Sequence, residues 1–270
     1  MTRPRTLATV LLALLLAAAP ARADTAVDLE LVLAVDVSGS IDPVEARLQR
    51  RGYLAALTSQ EVLNAITGGF LGRVAIAYFE WAGARYKANH VDWHVVETLD
   101  DARRLAKAID AAPPSRERRT SISAAIEYAM PLFDANGIEG TRRVIDISGD
   151  GPNNGGLLVT DARDWAVAQG VTINGLPIVN DRPNRFGIPN LKDLDRYYVN
   201  CVTGGLGAFV VVAEDFHDFA RAIRKKLVLE IAGAQPRLHP ASAFVEPYAS
   251  GCDIGERMLE DYMRGYHDWP

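Results

Sequence analysis

The chain has 270 residues, with 29 Lys and Arg against 34 Asp and Glu, a formal net charge of −5 at pH 7 and two cysteines. The acidic balance argues against nucleic acid or an anionic membrane surface as the main partner. The length suits one α/β domain with an appendage, or two small domains, and no internal repeat is visible.

Residues 1–23 differ from the rest. Arg3 and Arg5 precede an apolar run from Leu7 to Ala19, and Pro20-Ala21-Arg22-Ala23 has the small-x-small form of a signal-peptidase site. This pattern predicts a signal peptide cleaved after Ala23. A retained anchor is the alternative, but crossing roughly 30 Å of hydrocarbon takes about 20 apolar residues. Cleavage removes three arginines and no acid, so the formal charge moves from −5 to −8. Export implies a periplasmic or secreted protein with no stable membrane insertion. In that oxidising setting Cys201 and Cys252 can pair and fasten the tail to the domain, two free thiols being the other reading.

From residue 28 onward, strand and helix signals alternate. Leu29 to Val35 is a nearly continuous apolar run ending on Asp36, the pattern of a strand covered on both faces. Asp42-Pro43-Val44-Glu45 supplies a capping side chain, a first-turn proline and a carboxylate three residues on, which predicts a helix from Pro43 to about Asn64. Strands are expected over Gly72 to Phe79 and, at an edge, over Val91 to Val96. Helices are expected over Asp100 to Ala111 and Ser121 to Phe133. A strand from Arg143 to Ser148 leads into Gly149-Asp150-Gly151, followed by a helix from Thr160 to Gln169 closed by Gly170. Val171 to Ile178 and Gly207 to Val212 read as two more strands, and Asp215 to Ile231 as an amphipathic helix.

This order predicts an α/β fold. It is a doubly wound, mostly parallel sheet of about six strands with one antiparallel edge strand and helices on both faces. The expected domain covers residues 24–232. Residues 233–270 form a C-terminal extension packed on it, rich in Pro, Ala and Ser up to residue 250, with a short helix from Ile254 to Tyr266.

In such a sheet, ligands collect beyond the carboxyl ends of the strands. Three polar clusters fall there: Asp36-Val37-Ser38-Gly39-Ser40, then Thr120, then Asp150. Two carboxylates and three hydroxyls from three loops suit a hard divalent cation that wants about six oxygens and keeps some water. Gly39 permits the tight turn that lets Ser38 and Ser40 face one point.

At these residues the chain resembles the von Willebrand factor A family, whose metal-ion-dependent adhesion site is written D-x-S-x-S, then a threonine, then an aspartate usually followed by glycine. Here those positions are Asp36, Ser38, Ser40, Thr120 and Asp150 before Gly151, and the order of elements extends the resemblance over residues 28–232. The stretch Ser148 to Asn154 (SGDGPNN), with a signal peptide, resembles an exported bacterial branch with no assigned function. The resemblance implies a divalent cation, Mg²⁺ first and Mn²⁺ or Ca²⁺ next. It also implies an open coordination position filled by an acidic residue of a partner protein, and binding without enzymatic chemistry. One departure is the basic loop Ser115 to Arg119, where the family often has small residues. Its arginines oppose metal affinity but attract an acidic ligand, or else simply face solvent. Arg119, Asn153 and Asn154 are expected on the ligand rim.

Other readings stay open. A phosphatase-like hydrolase could use Asp36 as nucleophile, although the second acid such enzymes need two residues on is Ser38 here. A serine hydrolase lacks the G-x-S-x-G setting. A metal-free assembly domain is a third possibility. His90, Asp92 and His94 alternate on the edge strand and could in principle hold zinc, or only present polar groups to water. Asp146 lies within a strand that otherwise reads as buried, so it is expected to bond a backbone group or a basic side chain.

Overall fold

The computed structural model describes residues 24–179, 190–233 and 248–267. The expected signal peptide and most of the 233–250 stretch lie outside the described residues. In chain order the elements are β1 (Thr25–Val27), β2 (Glu30–Asp36), α1 (Pro43–Leu57), α2 (Gln60–Thr67), β3 (Val74–Trp81), β4 (Lys87–Val96), α3 (Leu99–Asp110), α4 (Ile122–Ala129), β5 (Ile138–Gly140), β6 (Arg143–Gly149), α5 (Val159–Ala168), β7 (Thr172–Pro177), α6 (Leu194–Tyr197), α7 (Phe219–Ile231) and α8 (Ile254–His267).

The main sheet has five strands in the order β4-β3-β2-β6-β7, all parallel except β4, which pairs antiparallel with β3 at one edge. β2 is central and fully buried, which is why its sequence reads apolar continuously from Leu31 to Val35 and not at alternate positions. Leu31, Leu33 and Val35 face one layer with Tyr53 and Ala56 of α1, Leu105 of α3 and Leu227 of α7. Val32 and Ala34 face the other with Ile122 and Ile126 of α4 and Ala162 of α5. Each fully buried Leu or Ile contributes about 1.5–3 kcal/mol relative to exposure. A second, two-stranded parallel sheet joins β1 to β5; its three-residue strands carry too little pattern to be read from sequence.

Three expectations on element boundaries are corrected. The long helix after β2 is two helices, because Ser59 caps α2 through Val62 N–H while the Thr58 hydroxyl donates back to Leu54 O. The helix after Thr120 tightens to a 3₁₀ turn over Met130–Phe133, where Pro131 cannot donate to the preceding turn. Residues 207–212 are not a regular sixth strand. They run beside β7 through isolated bridges, with Gly175 N–H donating to Phe209 O and Val211 N–H to Gly175 O. The ladder is interrupted because the Asn174 side chain accepts the Phe209 N–H.

The capping of α1 is as the sequence predicts: Asp42 accepts from Val44 and Glu45 N–H, and Glu45 accepts from Asp42 N–H. Cys201 and Cys252 form a disulfide across 51 residues of sequence. It ties α8 to the turn after α6. Among the described residues, no helix is long and apolar enough to cross a membrane.

Candidate metal centre at the carboxyl edge of the sheet

β2 and β6 are neighbours in register, with Val35 opposite Ser148. Their carboxyl ends therefore deliver Asp36 and Asp150 to the same place, and α1 starts directly above it. Asp36 Oδ1 accepts the Ser38 N–H at 2.7 Å, so the loop folds back over the strand end. Ser38 Oγ and Ser40 Oγ stand 3.0 Å apart, and Ser40 Oγ donates to Asp150 Oδ1 at 2.7 Å. Ser38, Ser40 and Asp150 thus form one chain of oxygens, and Asp36 joins it through the Ser38 N–H.

Thr120 joins them through its backbone. Its N–H donates to Asn154 Oδ1 at 2.9 Å and its carbonyl accepts from Asn154 N–H at 2.8 Å, which fixes it against the loop after β6. A β-carbon built on Gly151 would lie 3.9 Å from Thr120 Oγ1, so the hydroxyl sits beside the residue that follows Asp150.

Asp36 is 0% exposed, and its Oδ2 has no hydrogen-bond partner among the described residues. Burial first, and then repulsion from Asp150, hold its carboxyl well above the usual carboxylate range. Burial likewise pushes Asp150 up to about 6, against the hydrogen bond from Ser40. An orphaned carboxylate oxygen beside a second buried acid and three hydroxyls is the donor chemistry that a hard divalent cation satisfies. The arrangement mixes acids with hydroxyls, so no cluster of three or more His, Cys, Asp and Glu is found among the described residues.

Gly149 makes the close approach possible. A β-carbon there would lie 2.8 Å from Asp36 Oδ2 and 2.9 Å from the hydroxyl of Tyr198. Tyr198 is buried, its hydroxyl also without a partner among the described residues, and burial first, then the nearby Asp36 charge, raise its pKa. Sequence reasoning missed this phenol. It arrives from the turn Tyr198–Val202, far along the chain, and no local pattern marks it.

The rim residues fall in different places. Arg119 is exposed and adopts a left-handed backbone, φ 74°. Asn154 is spent on Thr120. Asn153 is buried, its side chain accepting from Ser123 N–H and donating to Leu157 O and Glu256 of α8. The basic loop lies against the centre: Glu117 N–H donates to Val37 O, and Arg116 Nη2 donates to Gly39 O at 2.6 Å.

Elsewhere, Asp146 is paired with Lys226 at 2.7 Å, the basic side chain of the two expected kinds of partner, and Glu230 bonds the same ammonium. The edge-strand histidines are not brought together with Asp92: His94 Nδ1 is 2.8 Å from Asp92 O, and His90 faces Tyr128.

The chain matches the family model described as "Protein of unknown function (DUF1194)" over residues 26–235. No curated protein matches it. Among solved structures it is similar to proximal thread matrix protein 1 of the mussel byssus, with 14% identity and a TM-score of 0.53, over 77% of this chain and 49% of that one. A further structure of that protein, described as having a zinc-occupied MIDAS motif, aligns at 16% identity and a TM-score of 0.50, over 77% of this chain and 47% of that one. The pilus adhesin SpaC of Lactobacillus rhamnosus GG aligns at 15% identity and a TM-score of 0.56, over 76% of this chain and 31% of the adhesin. The chain spans about half the length of the mussel protein and less of the adhesin, and at these identities the likeness is one of fold. The chain belongs to the DUF1194 family, and its fold is that of a von Willebrand factor A domain.

Proposed function

We propose that this protein is an exported, non-enzymatic binding protein. In this reading Asp36, Ser38, Ser40, Thr120 and Asp150 hold a divalent cation, Mg²⁺ first and Mn²⁺ or Ca²⁺ next. The ion's open position takes a carboxylate from an acidic segment of a partner protein. The carrying observation is the buried Asp36 Oδ2, which has no partner among the described residues and sits beside a second buried acid. A buried unpaired charge is costly, and a cation supplies what the protein withholds. The fold and the mussel protein with its occupied motif support the same reading. A nucleophilic role for Asp36 is disfavoured by its complete burial. Export to the periplasm or beyond rests on the reading of residues 1–23 and agrees with the disulfide. We place the domain at 24–232 and its packed extension at 233–270.

The experiment is thermal unfolding in EDTA against Mg²⁺, Mn²⁺ or Ca²⁺. An ion at 100 times its Kd should add about 2.7 kcal/mol of stability. No shift with any of the three, or an equal shift in Asp36→Ala, would remove the metal from the account. Capture of partners from a periplasmic extract with and without chelator then separates ion-dependent from ion-independent binding.

A further inference from the structure

Behind the Asp36 loop, between α1 and the segment 113–116, the structure has a cleft of about 410 Å³. That volume falls within the range of small-molecule sites. Its walls are apolar, formed by Val35, Val37, Ile41 and Ala46. The charges within it are not equivalent. Glu80 is buried and fully engaged: it accepts from Arg50 at 2.7 Å, from Tyr78 at 2.9 Å, from Asn89 and from Ser115. Arg50 is spent in turn on Glu80 and on the carbonyls of Ala112 and Pro113. Asp42 is exposed, and its Oδ1 caps α1.

Three donor groups remain. Gln49 is 2% exposed, lines the cleft, and its Nε2 has no hydrogen-bond partner among the described residues. Arg47, on the same helix, lines the cleft and has no polar partner among the described residues. Arg116 spends one nitrogen on Gly39 O and keeps the rest of its fork. An apolar chamber whose buried acid is fully engaged, and whose unspent groups include an amide N–H and two guanidinium groups, selects an anion with an apolar body. A guanidinium fork with a single added N–H matches a planar monoanion. We propose that this cleft is a binding site for a small carboxylic acid with an aliphatic or aromatic body, distinct from the Asp36 centre.

The site does not depend on a bound metal, so the test is run in EDTA on the chain from residue 24 onward. Octanoate and 1-naphthylacetate are titrated calorimetrically beside octan-1-ol and 1-naphthylacetamide, their uncharged counterparts. At least one carboxylate should bind one-to-one, about tenfold or more tighter than its neutral analogue. Ala46→Trp, which fills the chamber, should abolish the heat. Arg47→Glu, on the exposed rim and without consequence for the core, should weaken binding about tenfold, and Gln49→Leu several-fold. Retained thermal unfolding of each variant certifies the fold. The proposal is overturned if neither carboxylate saturates below about 5 mM, if the neutral analogues bind equally well, or if folded Ala46→Trp or Arg47→Glu binds like the parent chain.

Discussion

Two pairs of buried acids lie on or against the same sheet, and the protein treats them in opposite ways. In the middle of the sheet Asp146 and Glu230 share the ammonium of Lys226, and Asn174 donates to Glu230 at 2.9 Å. At the carboxyl edge Asp36 and Asp150 face one another with only hydroxyls and backbone N–H groups for company. Both pairs lie on or beside β2 and β6, both are buried, and burial raises the carboxyl pKa values in both. The lower pair has its cation built into α7; the upper pair has none among the described residues. A charge deficit left at the edge where ligands arrive, and filled where they do not, is the physical difference between a site and a core.

That contrast can be broken from below. Lys226→Met leaves two acids in the sheet without their cation, and should destabilise the protein by about 3–5 kcal/mol in denaturant titration. The corresponding removal at the edge should have the opposite sign, as described below.

The pH dependence sharpens the same point. Burial and the neighbouring Asp146 push Glu230 up to about 7 from its ordinary 4.5. Its folded pKa is therefore the higher one. The stability it contributes is fully present below about 4.5 and is lost as pH rises through about 7, on the order of 3 kcal/mol in all. Glu230→Gln should flatten that segment of the stability curve between pH 5 and 8, and an unchanged slope would show that another group carries it.

The disulfide separates the two regions. α8 reaches the loop after β6 through Glu256 and Asn153, and Cys201–Cys252 holds it there, whereas the lower pair rests on α7 and the strands. Cys201→Ser with Cys252→Ser should cost about 2–4 kcal/mol and weaken cation binding, while the pH slope due to Glu230 persists. Loss of both together would mean that the regions are not independent.

The smallest effect is the most diagnostic in sign. Asp36→Asn removes a buried, repelled carboxylate, and should stabilise the metal-free protein by about 1 kcal/mol at neutral pH, while abolishing stabilisation by Mg²⁺.

Much of this was legible in the sequence because the signals are local. An unbroken apolar run ending on Asp36, a capping box at Asp42 and the strand end at Asp150 place three loops at one edge with no long-range information. The partner of Asp146 could be read only as a backbone group or a basic side chain, since Lys226 lies 80 residues away and its burial on α7 has no local mark. Tyr198 and the cleft behind α1 were not legible for the same reason: they arise where distant segments pack. The break at Thr58–Ser59 did carry a signal, a serine cap inside a helical pattern, which the continuous periodicity around it obscured. Asn153 reads as a rim residue by its position after Asp150, yet its side chain turns inward to hold α4 and α8.

The central claim is that the edge pair awaits a cation, and equilibrium titration of the EDTA-stripped chain with Mg²⁺ and Mn²⁺ tests it most directly. The account expects one saturable ion per chain, lost in both Asp36→Asn and Asp150→Asn and retained in Glu230→Gln. No saturable binding of either ion, or binding that survives both edge substitutions, would contradict it.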